Sequence, residues 1–220
     1  MIAEQGAAGQ LDPVIAAACA SFGMVFVHPF LDGNGRLHRF LLHHVLRRCG
    51  VTPKGVVLPI SAALLAALPE YAAVLRAYSQ PRTQLLQFRL EPDTHTIEVL
   101  GPQPTWLYGY FDATKLCELV ASCIEQALNV DLPAELAWLR AYDQAMREVN
   151  EWLEGEQSQL DNLVRIILQN DGRLSKTKRA MFLRYSDRDI AKTEDIVRAA
   201  FAKWSETYGN GKLADVRGEP

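Results

Sequence analysis

His28-Pro29-Phe30-Leu31-Asp32-Gly33-Asn34-Gly35-Arg36-Leu37-His38-Arg39 is the stretch on which the reading of this chain turns. An apolar run leads into it (Phe22, Met24, Val25, Phe26, Val27) and an apolar helical pattern leads out (Phe40, Leu41, Leu42, Val45, Leu46). Between them stand an imidazole, a carboxylate, two Gly around an Asn, and two Arg. Polar groups concentrated between two buried helices cost stability unless they are used. The arrangement reads as a phosphate site with a base and a metal ligand beside it.

Gly33-Asn34-Gly35 can adopt positive φ, and successive N–H groups in such a turn converge on an anion. A helix begins at the same place, so its unpaired N–H groups and dipole point the same way. Arg36 and Arg39 oppose that dipole in the absence of an anion and complement one when it is bound. The alternative is a plain Gly-rich turn with two surface Arg. Asp32 reads either as a Mg²⁺ ligand, which would use phosphate oxygens for the rest of its shell, or as the helix N-cap. His28 can take a proton from an attacking hydroxyl near neutral pH; the alternative is a core histidine bonded to backbone. Phe30 reads as a core anchor for the loop. His43 and His44 read as structural or partly exposed, and His38 and His43, five apart, share no zinc-binding face.

Working outward, residues 1–11 are small and polar and read as a loose lead-in. Asp12-Pro13 starts a helix to Val27, with an Ala-rich face for close packing and bulky Ile15, Phe22 and Phe26 buried on most sides. A second helix runs from about Gly35 to Cys49 and stops at Gly50. Arg36, Phe40, His43 and Arg47 share one face of it, and Leu41, Leu42, Val45, Leu46 and Cys49 the other. Ser61 is expected to cap a helix over 62–68. Pro69-Glu70 begins another to Tyr78, which Ser79-Gln80-Pro81 ends. Gln84–Leu90 and Thr94–Leu100 alternate like strands around a Glu91-Pro92-Asp93 turn. Gly101-Pro102-Gln103-Pro104 is the expected module boundary. Helices follow from Asp112 to Asn129, from Asp131 to Leu153, and near 160–170, 175–184 and 187–207, with a flexible tail from Gly209.

The 220 residues carry a net charge of −3, which gives no global basic field for nucleic acid. Four Cys are scattered without metal-type spacing, so reduced thiols are expected. No secretory signal is visible and no apolar run reaches the ~20 residues that span a bilayer. A cytoplasmic location follows as an expectation.

His28, Phe30, Asp32, Gly33, Asn34, Gly35, Arg36 and Arg39 reproduce the motif His-x-Phe-x-Asp/Glu-Gly-Asn-Gly-Arg-x-x-Arg, and the chain resembles the Fic family through them. The likeness extends to about Tyr78. Tyr108–Asp112 and Leu160–Ser175 are similar to the C-terminal part of many bacterial Fic proteins. The resemblance implies a mainly α fold: a Fic-type helical core (1–80), a short β-hairpin connector (81–101), a C-terminal helical module (102–208) and a tail (209–220). It implies a protein adenylyltransferase, passing AMP from Mg-ATP to a Tyr, Thr or Ser hydroxyl of a target protein, the chain itself included. His28 would be the general base and Asp32 the Mg²⁺ ligand. Gly33, Asn34, Gly35, Arg36 and Arg39 would bind the nucleotide phosphates, and Arg39 would alternatively meet an inhibitory Glu.

A flap hairpin and an inhibitory Ser/Thr-x-x-x-Glu motif precede the motif in the family and are not found upstream here, so an N-terminally truncated member is expected. Other readings stay open: an inactive nucleotide-binding remnant, a regulatory module binding DNA or protein, or a Fic enzyme transferring another nucleotide, phosphate or phosphocholine. Residues 173–179 place four basic side chains in seven, the one stretch that suggests DNA, although acidic neighbours argue for a solvated helix start. A homodimer is left open; nucleic acid and membrane partners are not expected.

Overall fold

The computed structural model describes residues 1–52, 55–91, 96–101 and 105–209. The fold is mainly α with one short antiparallel hairpin, as the sequence leads one to expect. The chain forms two compact units, Met1–Val130 and Asp131–Pro220. The division falls beyond the Gly101–Pro104 break because α6 (Thr114–Gln126) packs on α2 (Pro13–Val27) and α4 (Ile60–Ala66) of the first unit.

In the first unit, residues 1–11 are not a loose lead-in. Ile2–Ala7 form helix α1, packed on α2 and α3 (Asn34–Arg48). Small residues make this possible: a Cβ at the buried Gly6 would lie 2.6 Å from Ala16 Cβ and 2.9 Å from Cys49 Sγ. α2 starts as its sequence dictates, with Asp12 Oδ1 accepting from the Val14 and Ile15 N–H groups and Pro13 at N1. Its Ala16, Ala17, Ala18 and Phe22 are fully buried, but Ile15 and Val27 are not, so burial covers less of the helix than its composition suggests. Leu42, Val45 and Leu46 of α3 face them in the core.

Helix α4 starts two residues earlier than expected. Pro59 is its N-cap, and the Ser61 hydroxyl lies 2.7 Å from His43 Nε2, tying α4 to α3 instead of capping its own helix. Pro81 does not end α5 (Leu68–Thr83). A proline removes one donor from the ladder, and side chains around it donate to neighbouring carbonyls: Ser79 Oγ to Leu75 O, Arg82 Nη1 to Tyr78 O, Thr83 Oγ1 to Ser79 O. Arg82 also stacks on the Tyr78 ring, its Cζ 3.7 Å from the centroid.

Strands β1 (Gln87–Glu91) and β2 (Thr96–Leu100) pair antiparallel, Gln87 opposite Leu100 and Glu91 opposite Thr96. Their period of two gathers Phe88, Leu90, Ile97 and Val99 on one exposed face. Of the expected Glu91-Pro92-Asp93 turn, Glu91 closes β1 and 92–93 lie outside the described residues, as do 102–104 of the expected boundary and the tail 210–220. Asp112 Oδ1 accepts from the Thr114 N–H and starts α6, and its carboxyl is held below the usual range by those bonds to Thr114.

The second unit is a helical bundle of α7 (Leu132–Trp152), α8 (Gln157–Gln169) and α9 (Asp187–Tyr208). Its core joins Tyr142, Ala145 and Val149 to Leu163 and Ile167 and to Val197 and Phe201. Ser186 and Asp189 form a reciprocal capping box at the start of α9. The basic stretch 173–179 includes a structural cation: Arg179 donates to the Phe182 and Tyr185 carbonyls and pairs with Asp187 at 2.8 Å. Among the described residues no single helix is long and apolar enough to cross a membrane.

Candidate active site

The loop 28–33 joins α2 to α3, the most extensively packed helix pair in the first unit. Its two ends are set by backbone geometry. His28 is the C-cap of α2, with φ +47 and its N–H donating to Met24 O at 3.0 Å. A left-handed backbone is strained for a residue other than glycine, and His28 shares it only with Asp171 among the described non-glycine residues. This turn of the chain leaves the imidazole exposed after a helix whose inner face is core. His28 is therefore not a core histidine.

Gly33, at φ +87, is the N-cap of α3. Asp32 is thus not the cap; its Oδ2 accepts from Arg36 Nη2 at 3.1 Å across an exposed pair. No side chain caps α3 and no acidic residue stands in its first turn. The first intrahelical bond is Leu37 N–H to Gly33 O, so the Asn34, Gly35 and Arg36 N–H groups are the unpaired donors of the helix end. Both arginines fold back over this end. A Cβ at Gly33 would meet Arg36 Nη2 at 3.6 Å, and one at Gly35 would meet Arg39 Nη1 at 3.6 Å. Two guanidinium groups beside an uncapped helix N-terminus form a place for an anion, favoured by dipole, donors and charge together.

The loop is held by Asn34, not by Phe30. Asn34 is 4 % exposed; its Oδ1 accepts from the Phe30 N–H at 3.2 Å and its Nδ2 donates to the Phe30 carbonyl. The Phe30 ring itself is 54 % exposed, so the expected core anchor acts through its backbone. The Asn34 carboxamide is thus engaged within the loop, and the backbone N–H groups at the start of α3 are what it leaves for a ligand.

Asp32 fits a divalent cation in one way only. Its carboxylate is 92 % exposed, and among the described residues no group of three or more His, Cys, Asp or Glu comes together. A cation here would complete its shell with phosphate oxygens and water, as Mg²⁺ does. Of the other histidines, His43 is bound to Ser61 and burial pushes its imidazole pKa down. His44 is exposed and stacks on Phe40, centroids 5.6 Å apart. His38 is almost wholly buried. The sequence could have shown this, since His38 falls on the Leu42 and Val45 face of α3 at i+4 and i+7.

Comparison with known proteins bears on this segment. The Fic/DOC family matches residues 2–46. This segment is similar to the Fic/DOC family. It runs from α1 through most of α3, so the family likeness coincides with the helices that hold the loop. Protein adenylyltransferase fic-1 of Caenorhabditis briggsae is 48% identical over 50 residues, 23% of this chain and 10% of that protein. The Caenorhabditis elegans protein of the same name is 48% identical over 50 residues, 23% of this chain and 9% of its own length. Protein adenylyltransferase Fic of Drosophila grimshawi is 47% identical over 49 residues, 22% of this chain and 10% of its own. The chain therefore spans about a tenth of the length of these curated relatives. No solved structure matches it.

Proposed function

We propose that the chain carries a protein adenylyltransferase site, transferring AMP from Mg-ATP to a Tyr, Thr or Ser hydroxyl. The observation that carries this reading is the spatial order of the loop. An exposed imidazole stands at one end, an exposed carboxylate in the middle, and an uncapped helix N-terminus under two guanidinium groups at the other. The relatives' name, protein adenylyltransferase, supports it over the matched segment.

In this reading the Gly33, Asn34 and Gly35 N–H groups hold the phosphates, and Arg36 and Arg39 neutralise their charge. Bound Mg²⁺, held by Asp32, would supply further charge neutralisation at the phosphates. His28 takes the proton of the acceptor hydroxyl as its oxygen bonds to the α-phosphorus. The bond from that phosphorus to the bridging oxygen breaks, and pyrophosphate leaves. Positioning and charge neutralisation supply most of the rate in such transfers. The acceptor is a hydroxyl of another protein or of this chain. The reading places the protein in the cytoplasm, where ATP is present and thiols stay reduced.

The test is intact mass after incubation with Mg-ATP, alone and with added cell protein. An AMP adduct that disappears in His28→Ala, with nucleotide binding retained, is the expected result. A phosphate or phosphocholine adduct, each from its own donor, would reassign the transferred group. No adduct from any donor, with Mg-ATP still bound, would reduce the segment to a nucleotide-binding remnant. The DNA-binding reading has less support, because Arg179 of the basic stretch is used internally.

A further inference from the structure

His38 is 1 % exposed, and neither ring nitrogen has a hydrogen-bond partner. Its ring sits edge-on to Phe22 of α2, centroids 4.7 Å apart at 72°, and 5.8 Å from the ring of Tyr71 on α5. Phe22 and Tyr71 in turn touch, at 5.6 Å. The imidazole thus fills an aromatic slot where three helices of the first unit meet, one residue from Arg39 and one turn beyond the Gly33–Gly35 cradle. A buried polar ring with unpaired nitrogens is a poorer filler than phenylalanine.

The charges around the slot explain what the imidazole adds. α2 carries no ionisable acid or base over Pro13–Val27 apart from Cys19, and offers His38 only Phe22 and the backbone near Ser21. α5 presents the Tyr71 phenol, whose pKa burial raises, so it stays neutral. α3 presents Arg39, a second cation. No carboxylate faces the ring from these helices among the described residues. Burial first, and the Arg39 charge last, push the His38 pKa below its ordinary value, with the Ser21 backbone opposing in part. A proton on His38 would set an uncompensated cation beside Arg39 in an apolar slot.

We propose that His38 is a positioning residue: uncharged, it seats the first turns of α3 on α2 and α5, and its protonation unseats them, so that the phosphate cradle is lost in mild acid. The last clause rests on the reading of Gly33–Arg39 as a phosphate site; the seating of α3 does not. The sign follows from the lowered pKa. The stability that a neutral His38 contributes is fully present above the unfolded-state value of about 6.5 and is lost as pH falls below it.

The experiment compares the full chain with His38→Phe and His38→Leu, which keep an apolar filler and remove the proton site. Hydrogen exchange of peptides covering 34–48 is followed between pH 7.5 and 5, each variant against wild type at the same pH. Wild type is expected to lose protection relative to the variants by up to about tenfold per pH unit below 6.5, the limit for one linked proton. Mg-ATP affinity, measured calorimetrically, should fall more steeply in wild type over the same range. The comparison cancels every titrating group other than His38, ATP included. Parallel exchange profiles in wild type and both variants overturn the proposal, whatever the nucleotide does. Absence of Mg-ATP binding in all three proteins at pH 7.5 instead overturns the phosphate reading, and with it the functional half of the proposal.

Discussion

Asn34→Ala should damage the loop without touching the core. The carboxamide makes two bonds to the Phe30 backbone, one accepted and one donated, from a position 4 % exposed. Each such bond is worth about 1 kcal/mol net. Alanine returns roughly half a kcal/mol through its better helix propensity. The net loss is therefore about 1.5 kcal/mol, a little over tenfold in the unfolding equilibrium. Urea denaturation of the variant should show a lower midpoint at unchanged slope, because the exposed surface on unfolding is the same. Mg-ATP affinity should fall about tenfold as well, since the nucleotide must then order a loop that Asn34 normally pre-orders. Asn34→Asp is the discriminating companion. It keeps the acceptor for the Phe30 N–H and loses the donor to the Phe30 carbonyl, so its stability should lie between the other two. Its added negative charge should weaken phosphate binding further than its stability loss accounts for. If Asn34→Ala matches wild type in both midpoint and affinity, Asn34 does not clamp the loop and the account of the cradle fails.

Gly33→Ala forces a side chain into φ +87 and should cost about 1 kcal/mol, read by the same denaturation, with a larger fractional loss in Mg-ATP affinity than in stability. Gly6→Val should destabilise the first unit by about 2 kcal/mol, because even a Cβ there meets Ala16 Cβ at 2.6 Å; a wild-type midpoint would mean that α1 does not pack as described. Ser61→Ala removes the partner of His43 Nε2 and should cost about 1 kcal/mol. That loss should vanish in a His43→Leu background if the two act as a pair.

Much of this was legible in the residues. Asp12-Pro13 fixes the start of α2 and Gly50 the end of α3, because caps are local chemistry that no tertiary context needs to supply. The Ser186 break before α9 is of the same kind, and the alternation read at 84–90 and 94–100 marks the hairpin whose strands form at 87–91 and 96–100. What was missed depended on side-chain bonds and packing that no local signal announces. Ser61 looks like a cap until His43 is seen to take its hydroxyl. Pro81 looks like a stop until Ser79, Arg82 and Thr83 are seen to donate to the carbonyls around it. Residues 1–11 look too small and polar to fold, yet the absence of a side chain at Gly6 is what admits α1 to the faces of α2 and α3. Within the loop, spacing marks the motif residues only as a group, and burial sets them apart from one another. Phe30 was expected inside and lies outside, while Asn34 supplies the grip.

In the proposed reading, His28 drives transfer of the AMP moiety from a nucleotide held over α3. Parallel incubations of the chain and added cell protein with α-labelled and γ-labelled ATP, in Mg²⁺, test it most directly. The expected result is label on protein from the α-phosphate alone, abolished by His28→Ala and not by a variant of the exposed His44. Label from the γ-phosphate alone, or α-label that survives His28→Ala, would contradict it.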